Sequence, residues 1–307
     1  MTGLILRRLI QAPLILLVIY TITFLLAWAL PGSAVLSDEG RQPPPEVLAA
    51  MEAQYNLDNP VAFYFGYLKG VVTALDFGPS FRYPDWTVND IVASALPVSV
   101  ALGLSAILIA LMIGVAAGVV GAVRPNSFAD IATLVIALIG ISMPAFVIGS
   151  VLLIVFPVWL GIGSVGAWGT IPDMILPAIT LSLPFAAYIA RLTRMGMIES
   201  LGADYIRTAR AKGVAERVVI LRHALKNAFL PVLSFLGPAA AQAMTGSFVV
   251  EKVFNVPGLG QHFVNGVLNK DLFLIMGVVL IYASMLIAFN LIVDILYHWV
   301  DPRIEQA

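Results

Sequence analysis

Six long stretches of this chain carry almost no polar side chains: residues 9–30, 97–123, 131–160, 174–198, 229–253 and 272–300. Each reaches the roughly 20 mainly apolar residues that a helix needs to cross a hydrocarbon core about 30 Å thick. The uncharged part of the fourth stops at Ala190, and Arg191 and Arg194 follow, so it reads as a helix running on past the hydrocarbon. Backbone groups in lipid must be satisfied within the segment, and these runs are too long and uniform for the alternating strands of an outer-membrane barrel. The expected fold is all-α: a polytopic membrane protein with six transmembrane helices. The first stretch follows Arg7 and Arg8 and contains Ala27-Trp28-Ala29, as a cleavable signal would. Its apolar run exceeds the roughly 7 to 15 residues of such signals, so it is read as a retained span.

Composition agrees. Hydrophobic residues make up 60% of the 307 and charged residues 11%, against about 25% charged in a soluble domain. The net charge of −1 gives no footprint for nucleic acid. With no cysteine, disulfides, thiolate chemistry and sulfur-based zinc sites are excluded.

The 17 basic and 18 acidic residues are segregated, and this orients the chain. Between the fourth and fifth stretches lie Arg191, Arg194, Arg207, Arg210, Lys212, Arg217, Arg222 and Lys226 against Glu199, Asp204 and Glu216. Basic excess marks a cytoplasmic loop. The connection after the first stretch carries Arg41, Lys69 and Arg82 against Asp38, Glu39, Glu46, Glu52, Asp58, Asp76, Asp85 and Asp90, which suits the outer face. Six spans then place both termini inside. The expected organisation is a cytoplasmic tip and first span at 1–30, an extracytoplasmic loop at 31–96, and a five-helix core at 97–307 that includes a cytoplasmic segment at 199–228.

The outer connection carries helix signals. Pro45 to Tyr55 reads as one short helix, and Asn59-Pro60 as a cap and first-turn pair for a second ending near Ala74. Asp76-Phe77-Gly78-Pro79-Ser80 reads as a turn leading back to the membrane. The aromatics here, from Tyr55 and Phe63 to Phe81 and Trp86, suit either packing at the lipid interface or docking of an external partner.

In the inner connection Asp204 can cap a short helix that Gly213 ends in the left-handed region. Tyr205, Ala209 and Lys212 share one face, with Ile206 and Arg210 beside it. A second amphipathic stretch, 214–228, spaces Val218, Leu221 and Leu225 helically before Pro231. Such a pair suits either an anionic lipid surface or a protein partner.

The run Tyr205-Ile206-Arg207-Thr208-Ala209-Arg210-Ala211-Lys212-Gly213, followed by Arg222-His223-Ala224-Leu225-Lys226-Asn227-Ala228 and Leu230-Pro231-Val232-Leu233, resembles the cytoplasmic signature of permease subunits of ATP-binding-cassette (ABC) importers, in their peptide branch. Leu30-Pro31-Gly32, Asp76 to Ser80, Leu96-Pro97-Val98-Ser99, Val256-Pro257-Gly258-Leu259-Gly260 and Asp301-Pro302-Arg303 extend the resemblance over the chain. It implies a type I ABC importer permease fold. It implies that Asp204 to Gly213 dock on an ATPase subunit, with Ala209 and Gly213 allowing close approach and Arg210 and Lys212 making polar contacts. The glutamate usual six residues before Gly213 is Arg207 here, as is common in the peptide branch, which leaves the role of Arg207 open. The implied partners are a homologous second permease, two ABC ATPases that bind ATP and Mg, and an extracytoplasmic peptide-binding protein, at a bacterial plasma membrane. Relatives of this type also carry nickel, glutathione or other small solutes.

Other features fit an external energy source. No Gly-Lys pair occurs, so a phosphate-cradling loop is missing and no cofactor is expected in this chain. The first, second, third and fifth spans lack the ionisable interior residues of ion-coupled transporters, and the last has only Asp294 and His298 near its cytoplasmic end. His223, His262 and His298 lack metalloprotease spacing, and no metal site or catalytic residue is expected. For the transport path, Pro144, Pro177 and Pro184 mark kinks or close contacts, and Thr180 and Ser182 add hydroxyls. Pro144, Thr180, Ser182 and Pro184 are the lumen candidates, with ordinary helix packing as the alternative.

Overall fold

The computed structural model describes residues 2–32, 44–83, 85–245 and 248–300. In chain order these form α1 (Thr2–Ala29), α2 (Pro45–Tyr55), α3 (Pro60–Ala74), α4 (Val88–Val123), α5 (Phe128–Ser142), α6 (Ala145–Leu153), α7 (Ile171–Gly202), α8 (Asp204–Ala211), α9 (Glu216–Val218), α10 (Leu225–Ala228), α11 (Leu230–Thr245), α12 (Phe248–Phe254), α13 (Leu259–Leu268) and α14 (Leu272–Val300). Six-residue π-helical turns continue α6 (Ile154–Trp159) and join α9 to α10 (Val219–Ala224). Asp301-Pro302-Arg303, the acids Asp38 and Glu39, Arg41 and the side chain of His298 lie outside the described residues.

The chain is all-α, with four unbroken helices long and apolar enough to span a bilayer, and six spans if each of two bent pairs counts as one. The third stretch is one of these pairs: its two halves, Phe128–Ser142 and Ala145–Trp159, meet at 103°. Proline lacks an N–H and excludes its predecessor from helical backbone; accordingly Met143, before Pro144, is extended at φ −85°, ψ 130°. The other pair meets where the fifth stretch begins: Glu216–Ala228, which precedes it, and Leu230–Thr245 are bent by 55° next to Pro231. Within this stretch Leu230–Thr245 and Phe248–Phe254 are helical. The fourth runs on to Gly202 as expected.

Among the described residues the chain divides into two compact units. One comprises residues 2–99 and 257–287. The outer-connection signals hold here: α2 and α3 span the expected residues, and Asn59 Oδ1 accepts from the N–H groups of Val61 and Ala62, each at 3.1 Å. The core is aromatic. Phe273 lies against Phe63, Tyr67, Tyr55 and Phe81, with ring centroids 5.2 to 5.7 Å away. Phe24 and Tyr20 of α1 stack on Phe63 and Tyr67, and Tyr20 Oη donates to the Tyr64 carbonyl at 2.5 Å. Several of the aromatics flagged in the sequence therefore pack on one another. At the expected turn Gly78 adopts φ +81°, and a Cβ there would sit 2.3 Å from the Phe273 ring. Only glycine supplies both the backbone and the space.

Asp271 is buried in the same unit. Its carboxylate accepts from Ser80 Oγ (2.6 Å) and from the N–H groups of Phe81 (3.0 Å), Arg82 (3.2 Å) and Leu274 (3.2 Å). Burial pushes Asp271 above the ordinary carboxylate value, and the four donors hold part of that rise back.

The other unit comprises residues 100–256 and 288–300. Its frame is α4 against α7. A Cβ on Gly114 would lie 2.6 Å from the Ala186 carbonyl oxygen, and one on Gly118 2.6 Å from that of Ala190. The two helices therefore approach backbone to backbone, as small residues permit in membranes.

Two outcomes follow from this packing. Gly118→Leu forces α4 from α7 and should cost about 1–3 kcal/mol, read as a lower unfolding temperature in detergent; an unchanged value contradicts the contact. For Asp271, a folded-state pKa raised above the unfolded value contributes stability that is complete below about 3.9 and is lost as pH rises through the folded value. The unfolding temperature should fall across that window in the native chain and fall less in Asp271→Asn; equal slopes contradict the burial argument.

Candidate functional site

The basic inner connection folds as a helical hairpin. Asp204 is the first residue of α8 rather than its cap; Ala203 holds the capping position, and the Asp204 carboxylate suits the positive end of the helix. Asp204 Oδ1 accepts from Arg207 Nη1 at 3.2 Å, an exposed pair, which counts for little. Gly213 takes the expected left-handed backbone at φ +75°. Its N–H bonds the Arg210 carbonyl at 3.0 Å, and Val214 N–H reaches the Ala209 carbonyl at 3.2 Å. A Cβ on Gly213 meets nothing within 4 Å, so what this glycine provides is backbone freedom.

The inward face of α8 is Ile206 and Ala209, both buried in one cluster with Ala122, Met197, Val219, Ala224 and Ala228. Ala209, expected at a partner surface, packs inside. The expected apolar face of 214–228 is also corrected. Val218 and Leu221 are 40% and 60% exposed, while Val219, Ala224 and Ala228 are buried. The wider turn of the π segment adds a residue between inward positions, so the buried face steps by five and then four. Nothing in the hydrophobic pattern announces such a turn.

Polar contacts lock the hairpin. Tyr205 Oη bonds Ser200 Oγ and accepts from Asn227 Nδ2 at 3.0 Å, tying α7, α8 and α10. Arg210 donates Nε and Nη2 to the two Glu216 oxygens at 3.1 and 2.6 Å, and this contact raises its pKa above the ordinary arginine value. Left on the exposed side of α8 are Tyr205, Arg207, Thr208, Arg210, Ala211 and Lys212.

The hairpin continues directly from α7, and α7 is anchored to α5. Arg194 donates Nε and Nη2 to Asp130 at 2.5 and 2.7 Å, and Asn126 N–H adds a 2.8 Å bond to the same carboxylate, which is 1% exposed. Gly121 of α4 makes room, since a Cβ there would lie 2.9 Å from Asp130 Oδ1. Arg194, counted in the sequence as part of a basic loop, is thus neutralised.

Further along α7 lies a cavity of about 360 Å³ lined by Ile141, Ala145, Leu181, Pro184, Phe185, Tyr188, Phe235 and Gln242. Of the four lumen candidates, Pro184 lines it, and Pro144 sits exposed at the α5–α6 bend beside Ala145. Thr180 and Ser182 are fully buried and spend their hydroxyls on the Leu176 and Ile179 carbonyls of their own helix, at 2.9 and 2.8 Å. Tyr188 and Phe235, with ring centroids 4.5 Å apart, and Gln242 were not singled out by sequence. The wall is mostly apolar, with one amide and one phenol.

A helical chain with up to six candidate spans and a small basic hairpin between two of them defines a class: a multi-span membrane protein. The comparisons make the family explicit. Residues 110–306 match the "binding-protein-dependent transport system inner membrane component" and residues 1–103 the N-terminal component of the same systems, so this chain belongs to the family of inner membrane components of binding-protein-dependent transport systems. It is 46% identical to the oligopeptide transport system permease protein OppB of Salmonella typhimurium over 99% of this chain and 100% of that protein. It is 42% identical to the dipeptide transport system permease protein DppB of Bacillus subtilis over 94% of each. A crystal structure titled as an amino acid ABC transporter with histidines shares the fold, with TM-score 0.53 and 16% identity over 69% of this chain and 94% of that one.

Arg194→Ala should leave a buried carboxylate unpaired and lower the unfolding temperature more than Arg194→Lys, which keeps charge but loses the two-pronged geometry. Equal losses in the two variants contradict the geometry.

Proposed function

We propose that this chain is a permease subunit of an ATP-driven ABC importer and forms half of the path for oligopeptides or dipeptides across a bacterial plasma membrane, with both termini cytoplasmic. The observation that carries the reading is the hairpin of α8 to α10, continuous with α7 and locked by Tyr205 and by Arg210–Glu216. The peptide permease relatives, matched over nearly the whole chain, support the cargo.

In this reading the segment Asp204 to Gly213 docks on a cytoplasmic ATPase. Arg210 and Lys212 provide the polar contacts, and Ile206 and Ala209 bind the helix to its own subunit so that force on α8 moves α7. Two ABC ATPases hold ATP and Mg, a homologous second permease completes the path, and an extracytoplasmic peptide-binding protein delivers cargo. The chain itself contributes no catalytic residue. The cavity on α7, with Pro184, Tyr188, Phe235 and Gln242, supplies part of the lumen wall. Apolar surface there lets peptides of varied side chains pass, and Gln242 can bond a peptide backbone.

Gly213→Val should insert and assemble yet separate ATP hydrolysis from uptake, because a β-branched residue resists the left-handed backbone. In proteoliposomes containing the whole complex, radiolabelled tripeptide uptake per ATP hydrolysed is expected to fall about tenfold, while hydrolysis persists. Uptake equal to that of the native complex would sink the docking assignment.

A further inference from the structure

A second cavity, of about 280 Å³, lies wholly within the unit formed by residues 2–99 and 257–287 and shares no lining residue with the cavity on α7. Three features set what it can hold.

Its walls are aromatic. Tyr55, Phe63, Tyr67 and Phe273 line it, held by ring contacts whose centroids are 5.2 to 6.0 Å apart. Phe63, Gly66, Tyr67 and Gly70 recur at helical spacing on one face of α3, and the two glycines leave the gap between the rings. A Cβ on Gly66 would meet no atom within 4 Å.

Its rim holds a carboxylate. Asp76 is exposed, and its Oδ1 accepts from Gly78 N–H at 2.8 Å. The loop is stitched by Asn89, which accepts from Phe77 N–H at 2.9 Å and donates to the Leu75 carbonyl at 2.8 Å. A carboxylate has about four acceptor sites, so Asp76 retains capacity for a ligand.

Tyr67 is 6% exposed, and its hydroxyl has no hydrogen-bond partner among the described residues. A buried hydroxyl without a partner calls for a guest or a water. Burial also holds this phenol in its neutral form, with a pKa well above the ordinary tyrosine value, so its oxygen is free of charge and able to accept.

Aromatic faces attract cations, a carboxylate and a phenol oxygen accept N–H donors, and an ammonium group carries three such donors. An anion would meet Asp76, and an uncharged apolar guest would leave Asp76 unused. We propose that this cavity binds a primary ammonium group borne on a small apolar body, with the nitrogen between Asp76 and Tyr67 and the hydrocarbon against Phe63 and Phe273. The ammonium comes either from a free amine or from the amino terminus of a short peptide. Recognition here involves neither the hairpin nor an ATPase, so it stands or falls apart from the permease reading.

The test is calorimetric titration of the full chain in lipid nanodiscs at neutral pH, using phenethylammonium and its uncharged isostere 2-phenylethanol. The ammonium should bind saturably and about tenfold more tightly than the alcohol. Asp76→Asn, which keeps an acceptor for Gly78 N–H, should weaken the ammonium about tenfold and leave the alcohol unchanged. Gly66→Leu fills the gap and should abolish both. Equal affinity of the two probes in the native chain overturns the proposal without any variant, as does full ammonium affinity in either variant. Trialanine and N-acetyl-trialanine then assign the source: binding lost on acetylation identifies a peptide amino terminus, and phenethylammonium binding without trialanine binding identifies free amines. Absence of binding by both phenethylammonium and trialanine overturns the site.

Discussion

The contact on which the transport unit depends is the backbone-to-backbone approach of α4 and α7 at Gly114 and Gly118. In lipid, apolar side chains gain nothing by leaving hydrocarbon for one another, so helices associate through close packing and polar bonds. Those two glycines supply the first, and Asp130–Arg194 supplies the second, about one turn beyond the last close approach on α7. Because α7 is fixed along its length, the side chains it presents to the cavity and the hairpin it leads into share one rigid support.

The hairpin itself is short, and isolated helices of that length are marginal in water. Its order comes from tertiary contacts: Ile206 and Ala209 packed on Val219, Ala224 and Ala228, and Tyr205 held between Ser200 and Asn227. This arrangement separates two duties on one eight-residue helix. The apolar side packs on the chain's own core, and the basic side remains at the surface. Arg210 also closes on Glu216 across the turn, a pair that lies at the surface.

The unit formed by residues 2–99 and 257–287 is stabilised differently, by interlocked rings around Phe273 and by one buried carboxylate, Asp271, that gathers the chain at residues 80–82. Rings of this size do not tile without gaps, and α3 places glycines where the gap falls. A cavity with aromatic walls and a carboxylate at its edge is a consequence of that packing, and it sets the chemistry of any guest.

The sequence by itself determined the membrane class, the helical fold and the approximate spans, because hydrocarbon imposes a length of apolar residues that no soluble helix needs. It also determined α2, α3, the turn at Gly78 and the stop at Gly213, since caps, prolines and left-handed glycines act locally. Tertiary structure alone decided which residues meet. The Asp130–Arg194 pair joins positions 64 apart in sequence, the π turn at Val219–Ala224 moves the buried face off Val218 and Leu221, and Tyr188 of α7 meets Phe235 and Gln242 of α11. The 103° bend after α5 lies between these cases: Pro144 marked the place, but the angle depends on what the two halves pack against. The division follows the range of the forces, for periodicity and capping are decided within a few residues, whereas pairing and cavity shape depend on how whole helices are set beside one another.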